Sequence, residues 1–243
     1  MTEAKKSVLI TGGSRGLGRA LSEALAARGH RVVMVARTEG PLLDAARAIR
    51  EGGGDAHALV ADVGEPGAAA RIAGAAAAMV GPIDAVVHNA STLGPVPLKP
   101  LVETTDEELE EALAVNLVGA FRLTRAVVGS MVARGAGLIL HVSSDASVEA
   151  YPAWGAYGVS KAGLDHLSRI WAAELDGTGV RVLAVDPGEM DTTMHADAIP
   201  DADPATLARP ADVAARLVTL IEQAPAPSGA RVVAATLSPA GAL

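Results

Sequence analysis

The sequence predicts an α/β fold, a parallel β-sheet covered by helices on both faces, built as a single domain over residues 1–243. Three observations carry this. Short, nearly continuous apolar runs alternate with helical patterns along the whole chain. Those runs lack the in–out alternation of a half-exposed sheet, as strands buried on both faces do. Hydrophobic residues make up 50% of the chain but aromatics only 2%, so the core is Ala, Val, Leu and Ile, which lets helices lie close on a sheet.

The first strand is Val8–Thr11, entering a glycine-rich turn, and Leu17, Leu21 and Leu25 then recur at helical spacing until Gly29. Arg31–Ala36 is the second strand. Helix Leu42–Ile49 leads to strand Ala56–Ala61, and helix Pro66–Met79 leads to strand Ala85–His88. A Pro- and Gly-rich loop precedes a long helix, about Glu107 to Ala133, stopped near Gly135. Leu138–Ser143 is the fifth strand, and helix Tyr157–Leu175 carries Leu164, Leu167 and Trp171 on one face. Val180–Val185, helix Asp212–Ile221 and strand Arg231–Thr236 complete the alternation, leaving 239–243 as a tail. The Asp/Pro-rich stretch 197–210 reads as a loop or lid, and 189–210 as the substrate loop.

Composition excludes several classes. With no cysteine, disulfides, Cys-based zinc sites and thiol nucleophiles are absent. A formal charge of −8, from 20 basic and 28 acidic residues, argues against a nucleic-acid surface. Apolar runs such as Ile72–Val80 are too short to span a membrane and no secretory pattern precedes residue 12, so a cytoplasmic protein is expected. Asp197, Asp201 and Asp203 lack a calcium-loop pattern and His195 has no second ligand at metal spacing, so no metal is expected and His195 reads as a loop histidine.

Between the first strand and first helix stands Thr11-Gly12-Gly13-Ser14-Arg15-Gly16-Leu17-Gly18. Glycines at 12, 16 and 18 permit a tight turn, and the free amides at the helix start can receive a diphosphate. A compact structural corner is the other reading of this turn. It is not a Walker A loop, since Arg19-Ala20 stand where Lys and Ser/Thr belong. At the end of the second strand Arg37 stands where a carboxylate commonly holds a ribose hydroxyl; together with Arg15 it suits a 2′-phosphate, which favours NADP(H) over NAD(H). Asp62, directly after the third strand, can accept from an adenine amino group or satisfy its own turn. Asn89 and Ala90 follow the fourth strand, where backbone lines the same cleft.

Tyr157 and Lys161 are four residues apart, on one face of a helix, pairing a phenol with a cation that favours its phenolate. Ser144, just past the fifth strand, can meet them at the carboxyl edge of the sheet; Asn116 lies within the long helix. Each alone has a structural explanation: a helical contact, a turn cap, a satisfied core amide.

Together, Thr11–Gly18, Asp62-Val63, Asn89-Ala90, Asn116, Ser144, Tyr157-Gly158-Val159-Ser160-Lys161 and Pro187-Gly188 closely resemble the classical short-chain dehydrogenase/reductase family, over nearly the whole chain. The resemblance implies a seven-stranded, Rossmann-type doubly wound parallel sheet with a nicotinamide cofactor at its carboxyl edge. It implies that Tyr157 is the acid in carbonyl reduction and the base in alcohol oxidation. It further implies that Lys161 lowers the phenol's pKa, holds the nicotinamide ribose and leads into a proton relay; Ser144 orients the carbonyl; and Asn116 holds the relay's water. Thr192, at the family's interval after Pro187-Gly188, is expected to touch the nicotinamide carboxamide, the other reading being a routine threonine at a helix start, and Asp191 can cap the same turn. A homodimer or homotetramer is the family expectation.

Departures from the family pattern are Ser91 in place of glycine after Asn89-Ala90, Ser147 three residues after Ser144, Asp145 beside the pocket, and Leu237-Ser238-Pro239 after the last strand. Leu93, Glu149, Tyr151, Trp154 and the Glu189–Pro210 region are candidates to border the substrate, with Tyr151 and Trp154 read equally as small core anchors in a chain nearly devoid of aromatics. The expected activity is an NADP(H)-dependent carbonyl reductase or alcohol dehydrogenase acting on a small molecule. The alternatives are NAD(H)-linked alcohol oxidation and a cofactor-binding regulatory protein without turnover.

Overall fold

The computed structural model describes residues 5–239. Seven strands form one parallel sheet: β1 (Ser7–Thr11), β2 (Arg31–Ala36), β3 (Asp55–Val60), β4 (Ala85–His88), β5 (Gly137–Val142), β6 (Val180–Asp186) and β7 (Arg231–Val233), in the order β3-β2-β1-β4-β5-β6-β7. The order reverses between β1 and β4, and the crevice at that switch is where such folds bind ligands. The part of the expected tail beyond Pro239 lies outside the described residues.

Alternate side chains of each central strand face opposite layers. Val8, Ile10, Val32 and Met34 pack under α1 (Gly16–Ala27), α2 (Glu39–Glu51) and α8 (Pro210–Gln223). Leu9, Val33, Val35 and Ile139 pack under α3 (Ala68–Val80), α5 (Gly119–Arg134) and α6 (Gly155–Glu174). Both layers are aliphatic, which is how the two-sided apolar runs of the sequence are used.

The structure revises three expectations. The long helix is α4 (Asp106–Leu113) and α5 joined by a π-helical turn, Ala114–Val118, so it bulges at Asn116. A capping box between Thr105 and Glu108 starts α4. Contrary to the expectation that every apolar run is too short, the joined run, Asp106–Arg134, holds an 18-residue window of mean hydropathy 1.3, long and apolar enough to cross a membrane; its Leu123, Val127 and Met131 are buried against the chain's own sheet. The last strand ends at Val233, because its pairing with β6 stops at Asp186↔Val233 and Ala234–Thr236 turn into a 3-10 helix. Finally, 189–210 is not open loop: it contains α7 (Thr193–Ala198), and a bridge between Met190 and Ala208 closes its base.

One polar pair is buried in the sheet. His88 and His141 are register partners on β4 and β5, with rings stacked at 4.8 Å. His88 Nε2 lies 2.8 Å from Thr124 Oγ1, and His141 Nδ1 2.7 Å from Ser168 Oγ. Burial pushes His88 down to about 3; burial, with His88 and Lys161 nearby, holds His141 well below its ordinary value. Both rings are therefore neutral in the folded chain, whereas an unfolded histidine takes up a proton below about 6.5. Below that pH the unfolded state binds more protons, so stability falls with falling pH; above it the pair contributes no slope. The chemical-denaturation midpoint is expected to drop between about pH 6.5 and pH 5, and less steeply in His88→Asn and His141→Asn. Equal slopes in the parent and both variants would contradict this assignment.

Candidate active site

The glycine turn is built around close approach. Gly12 has φ +68, and a Cβ placed there would stand 2.7 Å from Asn89 Nδ2; one on Gly18 would stand 2.3 Å from the Gly12 carbonyl oxygen. Asn89 Nδ2 donates to the carbonyls of Thr11 (3.0 Å) and Gly12 (3.2 Å), and Thr11 Oγ1 accepts from the amides of Asn89 and Ala90 (both 3.0 Å). Asn89 therefore braces the turn from the next strand, across the topological switch.

A cleft of about 720 Å³ runs along this edge. It is lined by Gly12, Ser14, Arg15, Gly16 and Leu17 from the turn, by Arg37 and Thr38 after β2, and by Asp62 and Val63 after β3. Asn89, Ala90 and Ser91 after β4, then Tyr157, Lys161, Pro187 and Thr192 complete the wall. Its size and its spread across the ends of β1 to β6 fit a dinucleotide. Arg15 and Arg37 are exposed at one end, and among the described residues neither forms an ion pair. Asp62 Oδ1 accepts from the Gly64 amide at 2.8 Å, so part of its carboxylate serves its own turn. Ser91 Oγ is shielded and has no hydrogen-bond partner among the described residues.

Other expected site residues stand behind or beside the cleft. Gly18 lies beneath the turn, and Gly188 (φ +75) faces a second cavity instead. Thr192 Oγ1, not Asp191, caps α7 by accepting from the His195 amide at 3.2 Å, while the Asp191 amide donates to the Ala208 carbonyl. That correction follows from backbone: Asp191 is held in the bridge at the loop's base. Thr192 also faces Gly16 across the cleft, its Cγ2 3.4 Å from where a Cβ would stand there.

Tyr157 and Lys161 share a face of α6 as their spacing requires. Lys161 is only 2% exposed; its Nζ donates to the Val142 carbonyl at 2.8 Å and sits 5.5 Å from the centroid of the Tyr157 ring. Burial brings this lysine down to about 8, opposed by Asp165. Burial pushes the Tyr157 phenol up to about 12; the Ser144 hydroxyl pulls the other way, and Asp145 and Asp186 add to the rise. Without a cofactor, burial thus outweighs the cation's expected effect on the phenol. Ser144 Oγ donates to Asp145 Oδ1 (2.9 Å) and accepts from the Ala146 amide (3.2 Å).

Asn116 lines neither cavity. From the π-helical turn its Nδ2 donates to the Thr92 carbonyl and to Ser160 Oγ, and its Oδ1 accepts from the Thr92 amide, each at 2.8 Å. Its side chain is spent on holding the 92 loop and α6 together.

The second cavity, about 260 Å³, adjoins the cleft, and Tyr157 lines both. Its walls include Leu93, Ser144, Tyr151, Trp154 and residues of α7, but not Glu149. His195 is on α7, with its side chain only 12% exposed in the wall of this cavity, rather than in a loop. Sequence reasoning also missed Arg231. From β7 its Nη2 donates to the Ser144 carbonyl (2.9 Å) and to Asp186 Oδ2 (3.0 Å), and its Nε to Asp165 Oδ2 (3.0 Å). One guanidinium thereby ties the Ser144 segment, the Tyr157 helix and the β6 end before Pro187 into one frame. No local signal marks it, since its partners lie 87, 66 and 45 residues away.

The sequence profile of the family described as short chain dehydrogenase matches residues 6–203. A short chain dehydrogenase of Pseudocercospora fijiensis is 38% identical over 194 residues, which are 79% of this chain and 62% of the relative's own length. Human L-xylulose reductase is 36% identical over 192 residues, 79% of this chain and 74% of that protein. A protein from Shigella flexneri 2a, described as a short chain dehydrogenase and solved complexed with NADP, superposes with a TM-score of 0.89 at 26% identity, covering 96% of this chain and 99% of that one. The chain belongs to the short-chain dehydrogenase family.

Arg231 touches no reacting atom and is a positioning residue. Arg231→Met is expected to lower kcat by on the order of ten- to a hundredfold, with KM for the cofactor changing less than about twofold and Arg231→Lys recovering only part of the loss. A loss of thermal stability with kcat unchanged would leave Arg231 a purely structural strut and contradict the expectation.

Proposed function

We propose that this protein is an NADP(H)-dependent carbonyl reductase or alcohol dehydrogenase of small molecules, with Tyr157 as general acid in reduction and general base in oxidation. One observation carries the reading: Tyr157 stands on the wall common to the large cleft and the smaller cavity, backed by Lys161 and flanked by Ser144. The nicotinamide, when bound, supplies or accepts the hydride.

Under this reading the amides of the turn 12–17 receive the diphosphate, and Arg15 and Arg37 the 2′-phosphate. Asp62, Val63 and Ala90 border the adenine, and Pro187, Gly188 and Thr192 the nicotinamide side. The relative solved with NADP supports this choice of dinucleotide. Lys161 holds the nicotinamide ribose. Ser144 donates to the substrate oxygen once its hydroxyl turns from Asp145. A phenol held protonated well above neutral pH is an acid poised to give its proton to a developing alkoxide, which favours reduction. Lys161, with a pKa of about 8, is suited to return that proton, and water held at the Asn116 bulge completes the relay. A cytoplasmic homodimer or homotetramer, assembled through the outer faces of α5 and α6, where Val132, Val159 and Ile170 are exposed, completes the proposal.

The test is NADPH oxidation across a panel of aldehydes and ketones, with parent, Tyr157→Phe and Arg37→Ala proteins. Tyr157→Phe is expected to lose about 10²–10⁴ in kcat. Arg37→Ala is expected to shift preference from NADPH toward NADH. Full turnover by Tyr157→Phe would overturn the assigned acid. Preference for NADH by the parent would favour NAD(H)-linked oxidation, and tight NADPH binding without turnover the regulatory reading.

A further inference from the structure

We propose that the cavity beside Tyr157 selects compact, uncharged carbonyl compounds, with an apolar body and one further neutral hydrogen-bonding group, and turns away carboxylates and phosphates. Asp145 and Glu189 set the charge of this selection, and His195 supplies the free hydrogen-bonding group. The inference deepens the carbonyl reductase reading and rests on it.

Size comes first. The cavity, about 260 Å³, is smaller than the roughly 300–1,000 Å³ of sites for drug-sized ligands. Leu93, Trp154, Met194 and Ile199 give it an apolar body, with the Trp154 and Tyr157 rings edge to face at 5.8 Å.

Charge comes next. The lining contains three carboxylates and no lysine or arginine. Asp186 is neutralised by Arg231 at 3.0 Å. Asp145 has no cationic partner among the described residues: its oxygens are held by Ser144 Oγ, the Ala146 amide and Tyr151 Oη, all neutral donors, at 2.9 Å. Burial raises the Asp145 carboxyl, but these bonds outweigh it and keep it below the usual carboxylate range, so it is charged at neutral pH. Glu189, largely exposed at the rim, adds a second negative charge. An anion entering here meets like charges at short range in a partly desolvated space, where repulsion is strong. The contrast lies within one molecule: the cofactor cleft has Arg15 and Arg37 ready for phosphate, and the substrate cavity has no permanent cation in its lining.

Hydrogen-bonding capacity comes last. Both ring nitrogens of His195 are shielded from solvent and form no hydrogen bond among the described residues. Nε2 lies 3.6 Å from Glu189 Oε1, too far for a hydrogen bond. Shielded polar atoms without partners are costly, and a neutral substrate group that satisfies one gains what the empty site lacks.

Two near-isosteric ketones, 4-acetylbenzamide and 4-acetylbenzoate, differ in the distal charge and in the amide's N–H donors, and the Asp145 and Glu189 variants isolate the charge effect. Binding to the NADP-loaded protein is read from the indole NMR signal of Trp154, with Trp171, outside the cavity, reporting the fold; turnover is read as NADPH oxidation. The amide is expected to bind, and to be reduced, at least about tenfold better than the carboxylate. Asp145→Asn and Glu189→Gln should each narrow that gap, and His195→Leu should weaken the amide alone. Equal or tighter binding of the carboxylate, or a gap unchanged in both carboxylate variants, overturns the proposal, as does failure of both ketones to move the Trp154 signal. Amide binding without NADPH oxidation leaves the selectivity standing and counts against the reductase reading instead.

Discussion

A lysine ammonium inside a protein must be compensated or it unfolds its surroundings, and the buried Lys161 imposes that constraint on everything around it. Its compensation is specific: the free carbonyl of Val142 at the end of β5, the face of the Tyr157 ring, and the carboxylate of Asp165 one turn further along α6. Each requires a particular strand end or helix face to be in place. The positions of β5 and α6, and the rotation of α6 about its axis, are thus bound to the need to keep one cation inside.

The other groups converge on the same edge for related reasons. A parallel sheet with right-handed crossovers brings every strand's carboxyl end to one side, and the reversal of order between β1 and β4 opens the crevice there. Asn89 holds that crevice open in a defined shape by spending its amide on the glycine turn. Asn116 and Arg231 act alike on other loops of the same edge, one through an amide in a helical bulge, the other through a guanidinium reaching from the last strand. The site is therefore a set of short polar loops, each anchored by a long-range hydrogen bond to a different element.

What was legible in the sequence was whatever depends on neighbours along the chain. The two-sided apolar strands, the glycine turn and the four-residue spacing of Tyr157 and Lys161 are local patterns, and the fold follows them. The helical bulge at 114–118 was not legible, because Ala114–Val118 reads as ordinary helix and the bulge is fixed by Asn116 bonding to Thr92. The short β7 reflects where its only neighbour strand ends, not the apolar character of Ala234–Thr236. Arg231 and His195 were missed for the same reason: their surroundings are assembled from residues far away in sequence. Asp191 and Thr192 are equally good caps on paper, and the bridge to Ala208 decides between them.

Burial holds the Tyr157 phenol protonated in the cofactor-free protein, and the chain's two tyrosines make this directly measurable. Ultraviolet titration of the cofactor-free protein, with Tyr151→Phe to leave Tyr157 as the single phenol, is expected to show ionisation pushed up to about 12, above the ordinary tyrosine range. A phenolate already formed near neutral pH in the cofactor-free protein would show that burial does not govern this phenol.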